Sequence, residues 1–154
     1  MPDIDSSDRM ILSTLQADAR VSLESLAHLT GLSSATVQRR IRRLRESGVI
    51  QRDAAILDAD ALGWRMSFLV LVEMERERID VLDAFKRRMR GEEQVQQCYY
   101  ITGEADFAPI CLARDMRDYE KLTRRLFFDD SNIRRFRTNV VMDRTKVSLD
   151  IGTL

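Results

Sequence analysis

Proline and glycine are scarce, at two and six residues in 154, which leaves little room for disordered linkers and implies that both halves of the chain fold. Histidine is scarcer still. The one copy, His28, falls in a predicted helix, where a lone imidazole reads as a packing or surface residue rather than a catalyst. The two cysteines, Cys98 and Cys111, have no CxxC partner and sit in apolar, strand-like runs. They read as buried free thiols, and no metal site or cofactor is expected. No apolar run approaches the roughly 18 residues of a membrane helix. The first twenty residues, rich in Asp and Ser, lack the basic start and apolar core of a signal peptide. A cytoplasmic protein without membrane contact is the expectation. Net charge is also missing, with 25 Lys+Arg against 25 Asp+Glu, so global charge gives no reason to invoke nucleic acid.

Distribution changes that picture. Between Ser33 and Arg52 stand Arg39, Arg40, Arg42, Arg43, Arg45 and Arg52 against the single Glu46, six against one and a local charge of +5. A basic window of this kind is an electrostatic footprint for nucleic acid. Residues 6–18 carry Met10, Ile11, Leu12 and Leu15 at helical spacing, with Ser6 or Ser7 available as N-cap. Ser22 caps a second stretch that stops at Gly31, and Ser33 or Ser34 caps a third, striped by Val37, Ile41 and Leu44 and stopped by Gly48. Two helices across a short Gly-containing turn have helix-turn-helix spacing.

On a wheel of 100° per residue, with Val37, Ile41 and Leu44 inward, Ala35, Arg39 and Arg42 point outward and Thr36, Gln38 and Arg43 flank them. Such a face suits a major groove, where small first-turn residues (Ser34, Ala35, Thr36) permit close approach, Gln38 suits adenine and Arg suits guanine. Arg40, Arg43 and Arg45 lie further round, where phosphate contacts are expected. Taken alone, an Arg-rich helix is equally a solvated face; the upstream helix and the Gly31 turn favour DNA.

After Gly48 the residues become short and β-like, and Asp58 to Gly63 forms a connector. The expected boundaries are a DNA-binding domain over 1–50, a β-stranded linker over 51–64 and a second domain over 65–154. In the second domain, strands are expected at Met66–Met74, Gln94–Thr102, Phe107–Ala113 and Phe136–Val147. Helices are expected through Ile79–Met89 and over 115–127. The order βαββαβ is ferredoxin-like, an α+β arrangement with both helices on one face. Pro109, lacking a ladder donor, suggests an edge strand or a bulge.

These residues resemble the Lrp/AsnC, or feast/famine, family of regulators. The likeness runs through Ile4-Asp5, Ile11-Leu12, Asp18-Ala19-Arg20, Gly31-Leu32-Ser33, Gly48-Val49-Ile50, Thr102 to Phe107, Arg114-Asp115-Met116, Tyr119, Thr138 and Val140-Val141-Met142. The resemblance implies a winged-type helix-turn-helix, a β-stranded linker, and a C-terminal domain that pairs sheets into homodimers and assembles them into tetramers or octamers. It also implies a small-molecule effector, an amino acid or related metabolite, held between subunits. Matched residue by residue, the effector positions are Tyr100, Thr102, Gly103, Glu104 and Asp106, with Met116, Asn139, Val140 and Val141. From chemistry alone, Gly103 permits close backbone approach and an acidic side chain pairs with an ammonium group. Gly-Glu-Ala-Asp is equally an ordinary hairpin turn.

The function these features imply is a ligand-modulated regulator that binds double-stranded DNA and is not an enzyme. Two alternatives share the fold. One is a relative of the siroheme decarboxylases, disfavoured because His28 is the only histidine; the other is a ligand-sensing oligomer that does not read DNA.

Overall fold

A computed structural model describes residues 3–76 and 78–153. The chain divides into two compact units, one comprising Met1–Ile56 with Lys146–Leu154 and the other Leu57–Thr145.

In the first unit, α1 (Ser6–Ala17), α2 (Leu23–Thr30) and α3 (Ser34–Glu46) surround Ile11, Leu26, Val37 and Ile41, all buried. Each fully buried aliphatic side chain of this kind contributes roughly 1.5–3 kcal/mol. Helix α1 is capped by Asp5, not by Ser6 or Ser7: the Asp8 N–H donates to Asp5 Oδ1 at 2.8 Å, and Asp8 Oδ2 accepts from the Asp5 N–H at 3.3 Å. An aspartate at this position accepts the bond as a serine would and adds a negative charge at the positive end of the helix dipole. Ser22 and Ser33 cap α2 and α3 as expected, and Gly31, at φ 68°, supplies the left-handed residue that ends α2.

Residues 146–153, expected with the second domain, belong instead to the first unit. Gln16 exchanges two bonds with the backbone of Ile151, at 2.9 and 3.0 Å, and Arg9 donates to the Thr153 carbonyl at 3.3 Å. The stretch 51–64 forms no strand. A strand requires a ladder partner, and Ile56, 97% exposed, has none among the described residues. Asp58 instead organises a turn, accepting from the Asp60 N–H at 2.9 Å.

The second unit runs β1 (Met66–Met74), α4 (Ile79–Gly91), β2 (Val95–Tyr100), β3 (Phe107–Ala113), α5 (Met116–Thr123), a wider π-helical turn (Arg124–Phe128) and β4 (Ile133–Val140). This is the expected βαββαβ order. All pairings are antiparallel and the strands lie in the order β2-β3-β1-β4. Phe68, Val70, Val72 and Met74 of β1 alternate onto one face. There they join Phe107, Cys111 and Ala113 of β3, Leu82, Phe85 and Met89 of α4, and Tyr119 and Leu122 of α5 in a single core. The Tyr119 ring stacks on Phe68, with centroids 3.7 Å apart.

Two strand expectations need correction. β3 is interior, not an edge, although it contains Pro109. Its ladder with β1 runs in one register from Met66↔Ala113 to Leu69↔Ile110 and resumes at Val72↔Phe107. The pairing is thus omitted opposite Pro109, which has no N–H to give. The register shift lies on the other side, between Val95 and Gln97 of β2. β4 ends at Val140 rather than Val147, because its partner β1 begins at Met66; one further bond, from the Val141 N–H to the Ser67 carbonyl at 2.9 Å, finishes the pairing.

Candidate nucleic-acid interface and ligand turn

The first turn of α3 is held by Ser33, whose Oγ accepts from the Thr36 N–H at 3.2 Å and bonds the Thr36 hydroxyl at 2.9 Å. Beyond this cap, Ser34 is half-buried, while Ala35, Gln38, Arg39 and Arg42 are exposed. No salt bridge engages Arg39 or Arg42 among the described residues, so both guanidinium groups face solvent with their donors available.

The three arginines expected at phosphates, Arg40, Arg43 and Arg45, each form an ion pair. Arg40 Nη1 lies 2.7 Å from Asp5 Oδ2 and 3.0 Å from Asp8 Oδ1, and Arg43 Nη2 bonds Asp8 Oδ2. Arg45 pairs with Asp53 at 2.8 Å. Asp8 is wholly buried. The Asp8 N–H, followed by the Arg40 guanidinium, lowers the Asp5 carboxyl below its ordinary value, and the bonds from Arg40 to the Asp5 and then the Asp8 carboxylate hold Arg40 further toward its protonated form. The signal for this arrangement was present in the sequence: two acids three residues apart directly before an apolar stripe form a capping-box pattern.

The expected ligand residues separate into two groups. Tyr100, at the end of β2, packs its ring 5.0 Å from Phe107 and carries Lys86 Nζ 4.9 Å above its face. It lines a cavity of about 400 Å³ between α4 and β2, together with Lys86, Arg90, Val95, Cys98 and Phe107. Its lining residues come from α4, β2 and β3 and share no local motif in the sequence. Thr102 and Gly103 are exposed in the β2–β3 turn. Gly103 has φ 125°, and a Cβ built there meets no atom within 4 Å, so its backbone dihedral, rather than crowding within the protomer, calls for glycine. Glu104 is 86% exposed at its side chain and pairs with Arg137 at 3.2 Å. Asp106 is turned inward: its Oδ2 accepts from the Met74 N–H at 2.6 Å, which makes it a brace for the turn.

Met116, Asn139, Val140 and Val141 are elsewhere. Val140 pairs with Phe68, and Asn139 pairs with Leu69, donating through Nδ2 to the Leu69 carbonyl at 3.0 Å. The β2–β3 turn flanks the Val72↔Phe107 end of the sheet. Four residues of β1 separate these levels, about 13 Å at the usual strand rise. One protomer therefore does not bring the two groups together.

Burial pushes the Cys111 thiol up to about 12 and the Cys98 thiol up to about 11, and neither forms a disulfide. His28 is exposed on α2. Among the described residues no group of His, Cys, Asp and Glu side chains could hold a metal ion, and no helix is long and apolar enough to cross a membrane.

A trihelical unit with an arginine-bearing third helix, joined in one chain to a βαββαβ unit, defines a helix-turn-helix regulator with an appended α+β domain. Comparison with known proteins narrows the class. Residues 4–51 match the winged helix-turn-helix DNA-binding model, and residues 67–150 match the Lrp/AsnC ligand binding domain. An uncharacterized HTH-type transcriptional regulator of Sinorhizobium fredii is 42% identical over 97% of this chain and 88% of its own length. The leucine-responsive regulatory protein of Escherichia coli is 32% identical over 95% and 89%. A feast or famine regulatory protein of Mycobacterium tuberculosis, solved in complex with L-methionine, superposes with a TM-score of 0.86 at 28% identity, covering 97% of this chain and 99% of that one. The chain belongs to the Lrp/AsnC family, and it is a DNA-binding transcriptional regulator rather than an enzyme.

Proposed function

We propose that this regulator reads a partly palindromic DNA site through the outer face of α3 and that an amino acid or related metabolite, bound between protomers, adjusts that binding. The carrying observation is the pair Arg39 and Arg42, exposed on a capped helix and without ion pairs among the described residues. Ser34, Ala35 and Thr36 occupy the first turn and Gln38 opens the second, at the end of a recognition helix where side chains reach base edges. Arg and Gln at such positions supply bidentate donors for guanine and adenine.

A homodimer fits the sheet. The face opposite the helices carries Leu69 and Leu71 of β1 and Ile110 and Leu112 of β3, whose neighbours Phe68, Val70 and Cys111 point into the core. An apolar face left open is satisfied by stacking on another sheet, and a two-fold dimer sets two recognition helices against half-sites about one helical turn apart. A second protomer also offers a way to complete the ligand site, because Thr102, Gly103 and Glu104 lie far from Met116, Asn139, Val140 and Val141 within one chain. The complex of the Mycobacterium tuberculosis relative with L-methionine supports an amino acid as ligand class. Such a ligand regulates only by favouring one assembly over another.

Selection from random DNA, with and without L-methionine and a pool of the other amino acids, tests the reading. The expected product is a two-fold motif whose affinity or footprint shifts with one member of the pool. Absence of any enriched sequence at low salt would refute the DNA reading, and an amino acid that binds yet changes neither footprint nor oligomer size would refute the switch.

A further inference from the structure

We infer that Asp8, assisted by Asp5, sets the number of charges that α3 offers to DNA, acting as a positioning residue that withholds Arg40 and Arg43 from phosphates and leaves Arg39 and Arg42 to read. The inference rests on α3 being the DNA-reading helix.

The geometry of α3 places its arginines in two rows. Arg39 and Arg42 are three residues apart on one row; a rotation of 100° brings up Arg40 and Arg43 on the next. The second row faces α1, where Asp5 and Asp8 occupy the N-cap and the third helical position. Asp8 is wholly buried and committed on both oxygens: Oδ1 accepts from Arg40 at 3.0 Å, and Oδ2 accepts from Arg43 and from the Asp5 N–H at 3.3 Å. Asp5 gives Arg40 a second anchor at 2.7 Å. Each guanidinium keeps N–H donors outside these bonds, and the Arg43 side chain is 52% exposed. A phosphate approaching either cation nevertheless also meets the carboxylate that the start of α1 holds against it, and that carboxylate cancels the attraction. Local interactions at a helix terminus are thereby tied to the ionic surface of another helix. Of the positive charge in the 33–52 window, two units are neutralised here and a third by Asp53.

Each phosphate contact by a cation steepens the dependence of log affinity on log salt by about 0.9 for duplex DNA. That slope separates charge withholding from a purely structural role, which would lower affinity for all DNA and leave the slope alone. The test measures affinity for the selected site and for a random duplex across a salt series, using the full-length protein, Asp8→Asn, the double variant Asp5→Asn/Asp8→Asn, and Arg43→Gln. Asp8→Asn releases Arg43 while Asp5 still holds Arg40, so the slope should steepen by about one. Random-duplex affinity should rise several-fold at low salt, and the ratio of specific to random binding should fall. The double variant should steepen the slope by about two, and Arg43→Gln should leave it as in the unaltered protein.

An unchanged slope in folded Asp8→Asn overturns the inference. So does a slope shallower by about one in Arg43→Gln, since Arg43 would then already touch a phosphate. If Asp8→Asn does not fold, Arg43→Gln and the surface variant Asp5→Asn decide, the latter with Arg40 partly released and the slope expected to steepen. Failure of the underlying DNA reading has a different signature: Arg39→Ala/Arg42→Ala would bind the selected site as the unaltered protein does.

Discussion

Arg39 and Arg42 form one row on α3, and Arg40 and Arg43 form the next. In sequence the four are nearly indistinguishable; in the folded unit one row is free and the other is fastened to Asp5 and Asp8. A run of basic residues is therefore not a count of DNA contacts. The helix that offers charge to a ligand also has to be held, and part of its charge does the holding. The sheet of the second unit shows a related division. One face is closed by α4 and α5, while Leu69 and Leu71 lie on the other, and the candidate ligand positions sit at two separate ends.

The largest effect should come from breaking the fastened row. Arg40→Ala/Arg43→Ala leaves the buried Asp8 carboxylate without a cation, and loss of partners from a buried charge costs about 3–5 kcal/mol. Thermal unfolding should show it as a lowered Tm, whereas Arg39→Ala/Arg42→Ala should leave Tm within about 0.5 kcal/mol equivalent, as exposed positions do. The DNA readout should show the opposite order. Arg39→Ala/Arg42→Ala should weaken binding to the selected site on the order of 100-fold, since each good base contact discriminates by about 1–3 kcal/mol, with oligomer size by sedimentation unchanged.

A smaller effect should separate the two units. Gly103→Ala forces an alanine to φ 125°, a strain of about 1–3 kcal/mol. Isothermal titration should show weakened amino-acid binding, while ligand-free DNA affinity stays within about twofold, because the turn belongs to a unit that does not carry α3.

The smallest effect is in pH. Asp5 and Glu73 are both held below their ordinary carboxyl values, Asp5 chiefly by the Asp8 N–H and Glu73 chiefly by Arg135. Depressed folded-state values mean that both contributions are fully present above the ordinary values of 3.8 and 4.5 and fade as pH falls through the lower folded-state values. Stability should thus be flat with respect to these groups from pH 5 to 8 and decline below pH 4. Asp5→Asn should remove part of that acid limb in a denaturation series; an unchanged limb would show that Asp5 is not held as described.

Much of the fold was legible because its signals are local. Ser22 and Ser33 with Gly31 and Gly48 marked the ends of α2 and α3 through short-range capping, and the βαββαβ order followed from apolar periodicity. What stayed hidden depended on partners remote in sequence. The end of β4 is set by where β1 begins, and the tolerance of Pro109 in an interior strand is set by a ladder that omits its bond to β1. The ion pairs of Arg40 and Arg43 reach back 32 and 35 residues to Asp8, which a helical wheel of α3 alone does not display. Asp106 was read by its charge, whereas its position in the turn commits the carboxylate to the Met74 N–H.

The division of the two arginine rows is tested most directly by base-by-base substitution of the selected half-site, with affinity measured for the unaltered protein and for Arg39→Ala, Arg42→Ala and Arg43→Gln. Each of the first two variants should lose discrimination of about 10-fold at one base position and keep it elsewhere, while Arg43→Gln should keep the full profile. Profiles of Arg39→Ala and Arg42→Ala that match the unaltered protein, or a flattened profile in Arg43→Gln, would contradict the division.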